Sequence, residues 1–256
     1  MPAKGSVVRM APSSGVALSL FLPGLQLSGR PVLGAAEFDF AGAEVTALLG
    51  PSGAGKSTLL RLLAGLMPLP PGAWLRAADG APLAGRAAWM GQQDLLLPWL
   101  DLLGNVTLGG RLRGEKPDLG RARELVAAVG LAGREHARPS ELSGGMRQRA
   151  ALARTLMEDK PFVLMDEPFS AIDAPTRHRL QSLSAELLRG RTVVLVTHDP
   201  LEALRLAHRI LVLRPGPQGA VPEEHPLPPT LPPRPARDPA VLASQAALLE
   251  RLAEAA

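Results

Sequence analysis

The chain has 256 residues, of which 46% are hydrophobic, with a formal net charge of +4 and no cysteine. That length suits one large α/β domain plus an appendage, and the apolar share is that of an ordinary globular protein rather than a disordered one. Without cysteine, disulfide frameworks, zinc thiolates and cysteine nucleophiles are excluded; metal chemistry must use oxygen ligands, and the composition agrees with a reducing compartment. The charge comes mostly from arginine, lysine being confined to Lys4, Lys56, Lys116 and Lys160. Tyrosine is absent and isoleucine occurs only at Ile172 and Ile210, so the richness in Ala, Gly, Pro and Arg reads as codon bias. No block of basic residues interleaved with aromatics marks nucleic acid as a partner.

No run of 18 or more strongly apolar residues is present, so no membrane span is expected. The uncharged stretch Ala11 to Gly29, behind Lys4 and Arg9, imitates a secretory signal, but it reads better as early strands of a cytoplasmic domain. Val16 to Phe40 holds short apolar runs broken by Pro23-Gly24, Ser28-Gly29 and Gly34, which predicts two or three antiparallel strands. Val45-Thr46-Ala47-Leu48-Leu49 follows as a strand, and Leu59 to Ala64 consists of strong helix formers.

Between them lies Gly50-Pro51-Ser52-Gly53-Ala54-Gly55-Lys56-Ser57-Thr58, a full match to the phosphate-binding pattern G-x-x-x-x-G-K-[ST] in its required strand-loop-helix setting. The glycines let successive N–H groups turn inward on phosphate oxygens, and the helix adds its positive end. Lys56 then meets the β- and γ-phosphates, the Ser57 hydroxyl is placed for Mg²⁺, and Thr58 adds a second hydroxyl.

Further on, Trp74-Leu75-Arg76 and Ala87 to Met90 are predicted strands. Gln92-Gln93-Asp94-Leu95-Leu96-Leu97-Pro98-Trp99 opens a region of helical spacing through Leu119 to Val129. Glu141 to Arg149 carries glycines opening a helix that runs through Leu156 and breaks at Pro161. Phe162-Val163-Leu164-Met165 reads as a strand buried on both faces that delivers Asp166 and Glu167 at its carboxyl edge. Ser170-Ala171-Ile172-Asp173 turns into a helix with Leu180, Leu183 and Leu187, and Val193 to Val196 is a second buried strand ending in Thr197-His198-Asp199. A helix over Pro200 to Ala207 and a strand at Ile210 to Leu213 close the domain, set at residues 1–214. Residues 215–239 read as an extended proline-rich arm and 240–256 as a short amphipathic helix that docks on the domain.

From Val16 to Leu213 these motifs, in this order, resemble the ATP-binding-cassette (ABC) ATPases. Leu142-Ser143-Gly144-Gly145-Met146 is similar to the family's LSGGQ signature, with Met146 at the glutamine position. The resemblance implies an α/β P-loop NTPase fold: a mixed RecA-like core sheet, an antiparallel N-terminal β subdomain and an inserted helical signature subdomain. It implies ATP and Mg²⁺ as cofactors, with Asp166, Ser57 and Gln92 at the metal, Glu167 polarising the attacking water and His198 contacting the γ-phosphate. It implies a second copy of the chain as partner, whose Ser143, Gly144, Gly145 and Asp173 complete the site across a dimer seam. Relatives stack adenine on an aromatic residue where this chain has Leu27, which predicts weak discrimination among nucleoside triphosphates.

A separate cassette with a Leu96-Leu97-Pro98-Trp99 segment and a Pro232 to Asp238 tail resembles the energy-coupling subunits of the nitrate, sulfonate, taurine and thiamine-precursor importers. That implies an ATPase peripheral to the cytoplasmic face of the membrane. It would dock permease subunits through a groove at Leu95 to Leu103 and serve a periplasmic or lipoprotein solute-binding protein, with hydroxymethylpyrimidine as the favoured solute. The alternative is a non-transport ABC ATPase acting on a soluble or nucleic-acid partner.

Overall fold

The computed structural model describes residues 15–255; the first residues of the Ala11 to Gly29 stretch, with Lys4 and Arg9, lie outside them. In chain order the elements are strands β1 (Leu18–Leu22), β2 (Leu25–Leu27), β3 (Arg30–Leu33), β4 (Ala36–Phe40) and β5 (Val45–Leu49), then helix α1 (Lys56–Leu63) and strands β6 (Trp74–Ala77) and β7 (Ala87–Met90). Helices α2 (Leu102–Val106), α3 (Leu108–Leu112), α4 (Leu119–Ala128) and α5 (Gly144–Met157) follow. Next come β8 (Phe162–Asp166), α6 (Ala174–Leu187), β9 (Thr192–Val196), α7 (Pro200–Leu206), β10 (Arg209–Arg214), β11 (Val221–His225) and α8 (Pro239–Glu254).

The described chain divides into two units. One comprises residues 15–89, Lys160–Glu167 and 189–255 and carries the sheets. Its six-stranded sheet has the order β11-β10-β5-β9-β8-β7, with β10, β5, β9 and β8 mutually parallel and β11 antiparallel at the edge. All five residues of β8 and of β9 are buried, as expected for parallel strands covered on both faces. A three-stranded antiparallel sheet, β4-β1-β6, shares an apolar core with α1, built on Leu20, Phe38, Leu59 and Leu63. This is the mixed core sheet and antiparallel β subdomain that the sequence leads one to expect.

The second unit comprises Met90–Asp159 and Pro168–Leu188 and is helical. Here α4 buries Ala122, Leu125 and Val126, while α5 buries Ala150, Ala151, Leu152, Ala153 and Leu156. The small side chains of α5 let α2 and α4 approach its backbone closely.

Residues 215–239 differ from a plain extended arm. Val221–His225 pairs antiparallel with β10, and Pro222 is accommodated because β11 is an edge strand with one unpaired side. The predicted terminal helix exists and docks against α7, with Val241 and Leu248 buried beside Ala203, Leu204 and Ala207. Among the described residues no helix is long and apolar enough to cross a membrane.

Gly219 shows how tightly the chain returns past the end of β3. At φ +101° its missing Cβ would lie 2.5 Å from the Leu33 carbonyl carbon and 2.7 Å from Gly34 N. Gly29, at φ +76°, has nothing within 4 Å. Gly219→Ala is therefore expected to lower stability by about 3 kcal/mol and Gly29→Ala by only about 1 kcal/mol, the cost of a left-handed alanine, as read by thermal melting.

Candidate nucleotide-binding and hydrolysis site

The loop between β5 and α1 is shaped by three left-handed or near-left-handed glycines, at φ +145° for Gly50, +83° for Gly53 and +88° for Gly55. Two of them also mark close approaches. A Cβ on Gly50 would meet Leu213 O at 2.7 Å, and one on Gly55 would meet Leu33 Cδ2 at 2.8 Å. Pro51, Ser52 and Ala54 fill the turn, which closes through Ala54 N donating to Pro51 O (3.2 Å). Gly55 is the N-cap of α1, with no side-chain cap and no acid in the first turn, so that helix end offers its amides to an external anion.

Lys56 Nζ donates to Gly50 O (2.7 Å) and Pro51 O (2.8 Å), curling back over the loop it follows. Burial lowers its pKa below the usual lysine value, and the carboxylates of Glu167 and Asp166 act in the opposite direction. Asp166 ends β8 at 4% exposure; burial raises its pKa, while a hydrogen bond from the Ser57 hydroxyl favours the carboxylate. Thr58 lies half-buried on the same first turn of α1. A serine hydroxyl paired with a buried carboxylate is a hard oxygen donor set, which fits Mg²⁺ with phosphate and water as its other ligands. Among the described residues no group of three or more His, Cys, Asp or Glu forms a self-sufficient metal cage.

Glu167 sits at φ +50°, an uncommon conformation for a non-glycine residue, with its N–H bonded to Val196 O at 2.9 Å. The bond ties the end of β8 to the end of β9. It leaves the Glu167 carboxylate 3.3 Å from Nδ1 of His198, whose own side chain is largely exposed. Lys56, Ser57, Asp166, Glu167 and His198 thus all belong to the sheet-bearing unit.

Gln92, Ser143, Gly144, Gly145 and Asp173 belong to the helical unit. Ser143 is the N-cap of α5, its Oγ accepting from Met146 N at 3.3 Å. Gly145 is needed where it stands, because a Cβ there would come within 3.0 Å of Ala171 O. Asp173 N-caps α6, and the backbone N–H of Thr176 holds its pKa below the usual carboxylate range.

Three residues without an assigned role in the sequence reading organise this unit. Arg147 Nε donates to Asp94 Oδ2 (3.0 Å), while Arg154, two turns along the same helix, donates to Asp94 O (2.6 Å) and Leu95 O (2.8 Å). Gln148, 6% exposed, donates to Ser170 Oγ (3.1 Å) and accepts from Ala171 N (2.7 Å). One helix therefore holds both the Gln92 loop and the turn leading to Asp173, around a cavity of about 420 Å³ lined by Gln92, Asp94, Gly144, Arg147, Gln148 and Ser170. The seven-residue spacing of Arg147 and Arg154 on one helix face is the only local signal for it. Arg154→Ala leaves two carbonyls of the loop without their charged donor, so amide exchange across residues 92–97 should quicken about tenfold, while β5 and α1 exchange as before.

Three comparisons with known proteins agree with this geometry. The family model described as ABC transporter matches residues 33–170. The taurine import ATP-binding protein TauB of Burkholderia thailandensis is 47% identical over 183 residues, covering 69% of this chain and 70% of that one. The aliphatic sulfonates import ATP-binding protein SsuB of Delftia acidovorans is 45% identical over 226 residues, covering 88% and 89%. Among solved structures, the dimeric post-hydrolysis ATP-binding cassette MJ0796, bound to ADP and Pi, matches with a TM-score of 0.68 at 27% identity, over 81% of this chain and 98% of that one. With the family model spanning more than half of the chain and relatives at 45 to 47% identity, the chain belongs to the ABC transporter family of ATP-binding proteins.

Proposed function

We propose that the chain is the ATP-hydrolysing, energy-coupling subunit of an importer for a small solute of the taurine and sulfonate class. The observation that carries this reading is the convergence of Lys56, Ser57, Asp166, Glu167 and His198 in one unit, with acid, base and phosphate-binding groups within reach of one another. The amides of Gly50 to Thr58 and the Lys56 ammonium hold the triphosphate. Ser57 and Asp166, joined by Gln92 as the resemblance implies, would hold Mg²⁺, which neutralises charge on the β- and γ-phosphates. Glu167 accepts a proton from the attacking water. His198, bonded to that carboxylate, orients it toward the γ-phosphate.

Ser143, Gly144, Gly145 and Asp173 of a second copy complete the site. The dimeric cassette among the structural relatives supports this arrangement. The permease docks at Leu95 to Leu103, where Leu95 is 57% and Trp99 69% exposed, an unusual position for two large apolar side chains. Asn105 shapes that surface, taking a hydrogen bond from Leu97 N and giving others to Leu97 O, Leu100 O and Asp101 O. On this reading the protein works at the cytoplasmic face of the membrane, with a solute-binding protein acting on the permease's far side. The names of the relatives favour taurine or a sulfonate over hydroxymethylpyrimidine as the solute.

Two experiments test the reading. Glu167→Gln keeps the shape and removes the base, so ATP should drive a stable dimer in size-exclusion chromatography while phosphate release falls by about a hundredfold or more. A variant that stays monomeric with ATP, or still hydrolyses it, counts against the assignment. Leu27 ends β2 and faces Arg30 across the two-residue turn Ser28-Gly29, exposed in the same unit as the phosphate loop. Leu27→Tyr should tighten ATP binding by about 1 to 3 kcal/mol and sharpen selection for ATP over GTP in equilibrium titration; unchanged affinity removes Leu27 from the base site.

A further inference from the structure

The tail that sequence reading treats as an arm contains a deeply buried cation in the unit that carries Glu167 and His198. Arg234 is 3% exposed. Its Nη1 donates to Leu204 O and Ala207 O, each at 2.7 Å, and its Nη2 to Pro228 O at 3.4 Å. The backbone repeats the attachment, with Arg234 N donating to Arg205 O (2.8 Å) and Arg205 Nε donating to Arg234 O (3.3 Å). Leu204 and Ala207 are the closing residues of α7, so the guanidinium caps the negative end of that helix and satisfies carbonyls with no partner inside it.

Helix α7 needs such help. Seven residues are too few for a helix to persist by its own hydrogen bonds, and most of its order must come from its ends and its packing. At the other end Asp199 Oδ1 accepts from Leu201 N (2.9 Å) and Glu202 N (3.3 Å). Asp199 N is in turn held by Thr197 Oγ1 at 3.1 Å. His198 lies between those two residues, with Nδ1 3.3 Å from the Glu167 carboxylate. The helix is thus a short strut, capped by Asp199 next to the histidine and by Arg234 at its far end. All of these residues belong to the sheet-bearing unit.

We propose that Arg234 is a positioning residue for hydrolysis: by latching the far end of α7, it fixes the direction in which His198 meets Glu167. This rests on the reading of His198 and Glu167 as hydrolytic residues. Losing the latch lets the last turn of α7 fray and lets His198 swing, which misaligns the water-activating pair without touching the phosphate loop. A displacement of that kind is felt in kcat rather than in ATP binding.

The test is a double-mutant cycle on steady-state ATP hydrolysis by the full chain, with Arg234→Gln and Arg234→Lys each made in the wild-type and His198→Ala backgrounds. Arg234→Gln should lower kcat by about ten- to a hundredfold with KM for ATP within about twofold of wild type. Arg234→Lys, which keeps a donor and the charge at the helix end, should recover part of the loss. In the His198→Ala background neither variant should lower kcat further. Should Arg234→Gln not fold, Arg234→Lys carries the same cycle. An unchanged kcat, or an equal loss in both backgrounds, overturns the latch. Full hydrolysis by His198→Ala alone would instead overturn the hydrolytic reading beneath it.

Discussion

A loop that binds an anion must present a helix start that no side chain caps, and that constraint organises the packing around Gly50 to Thr58. The left-handed turns at Gly53 and Gly55 aim the chain inward, and α1 starts on a glycine with neither a capping side chain nor a first-turn acid. Lys56 folds back on Gly50 O and Pro51 O, so its charge is fixed near the cup instead of extending into water. Everything packed close by respects the same geometry: Leu33 and Val32 lie where a Cβ on Gly55 would be, and Leu213 lies where a Cβ on Gly50 would be. The parallel core strands β5, β8 and β9 then carry the loop, the two acids and His198 to the same edge of the sheet, as open α/β sheets place their ligand groups.

The division of labour between the two units follows from their chemistry. The sheet-bearing unit holds Lys56, Ser57, Asp166, Glu167 and His198, the groups proposed to act on phosphate, metal and water, and its buried strands give them fixed positions. The helical unit holds a capped helix start at Ser143 and two loops tied to that helix by Arg147, Arg154 and Gln148. Because those ties are charge-assisted or paired amide bonds, a displacement of the segment with the exposed Leu95 and Trp99 is passed to the start of α5 rather than absorbed. This is the mechanical property that the proposed energy-coupling role requires.

Much of this was legible in the sequence where the signal is local. The phosphate loop is nine consecutive residues with an obligatory strand before and helix after, and β8 and β9 are unbroken apolar runs that only a doubly covered parallel sheet can bury. The arm was harder to read, because a proline every few residues suggests extension, whereas β11 is an edge strand, a place in a sheet where a proline such as Pro222 is tolerated. Arg234 and Arg154 were invisible for a different reason. Each donates to main-chain carbonyls 27 or more residues away, and such acceptors have no residue type to recognise. Gln148 lies in the Glu141 to Arg149 stretch with no signal of its own, while its bonds to Ser170 and Ala171 depend on how two distant segments fold together.

The central claim is that the triphosphate held by one copy is completed by the signature helix of another. The chain contains no cysteine, so a single pair of introduced thiols can report on that meeting without background. Ser52→Cys in one population and Met146→Cys in another, both carrying Glu167→Gln, would be mixed under mild oxidation and the crosslinked product followed by electrophoresis. The account predicts a disulfide-linked pair that forms with ATP and not without it. A chain that binds ATP yet yields no such pair, or yields it equally without nucleotide, would contradict a site shared between two copies.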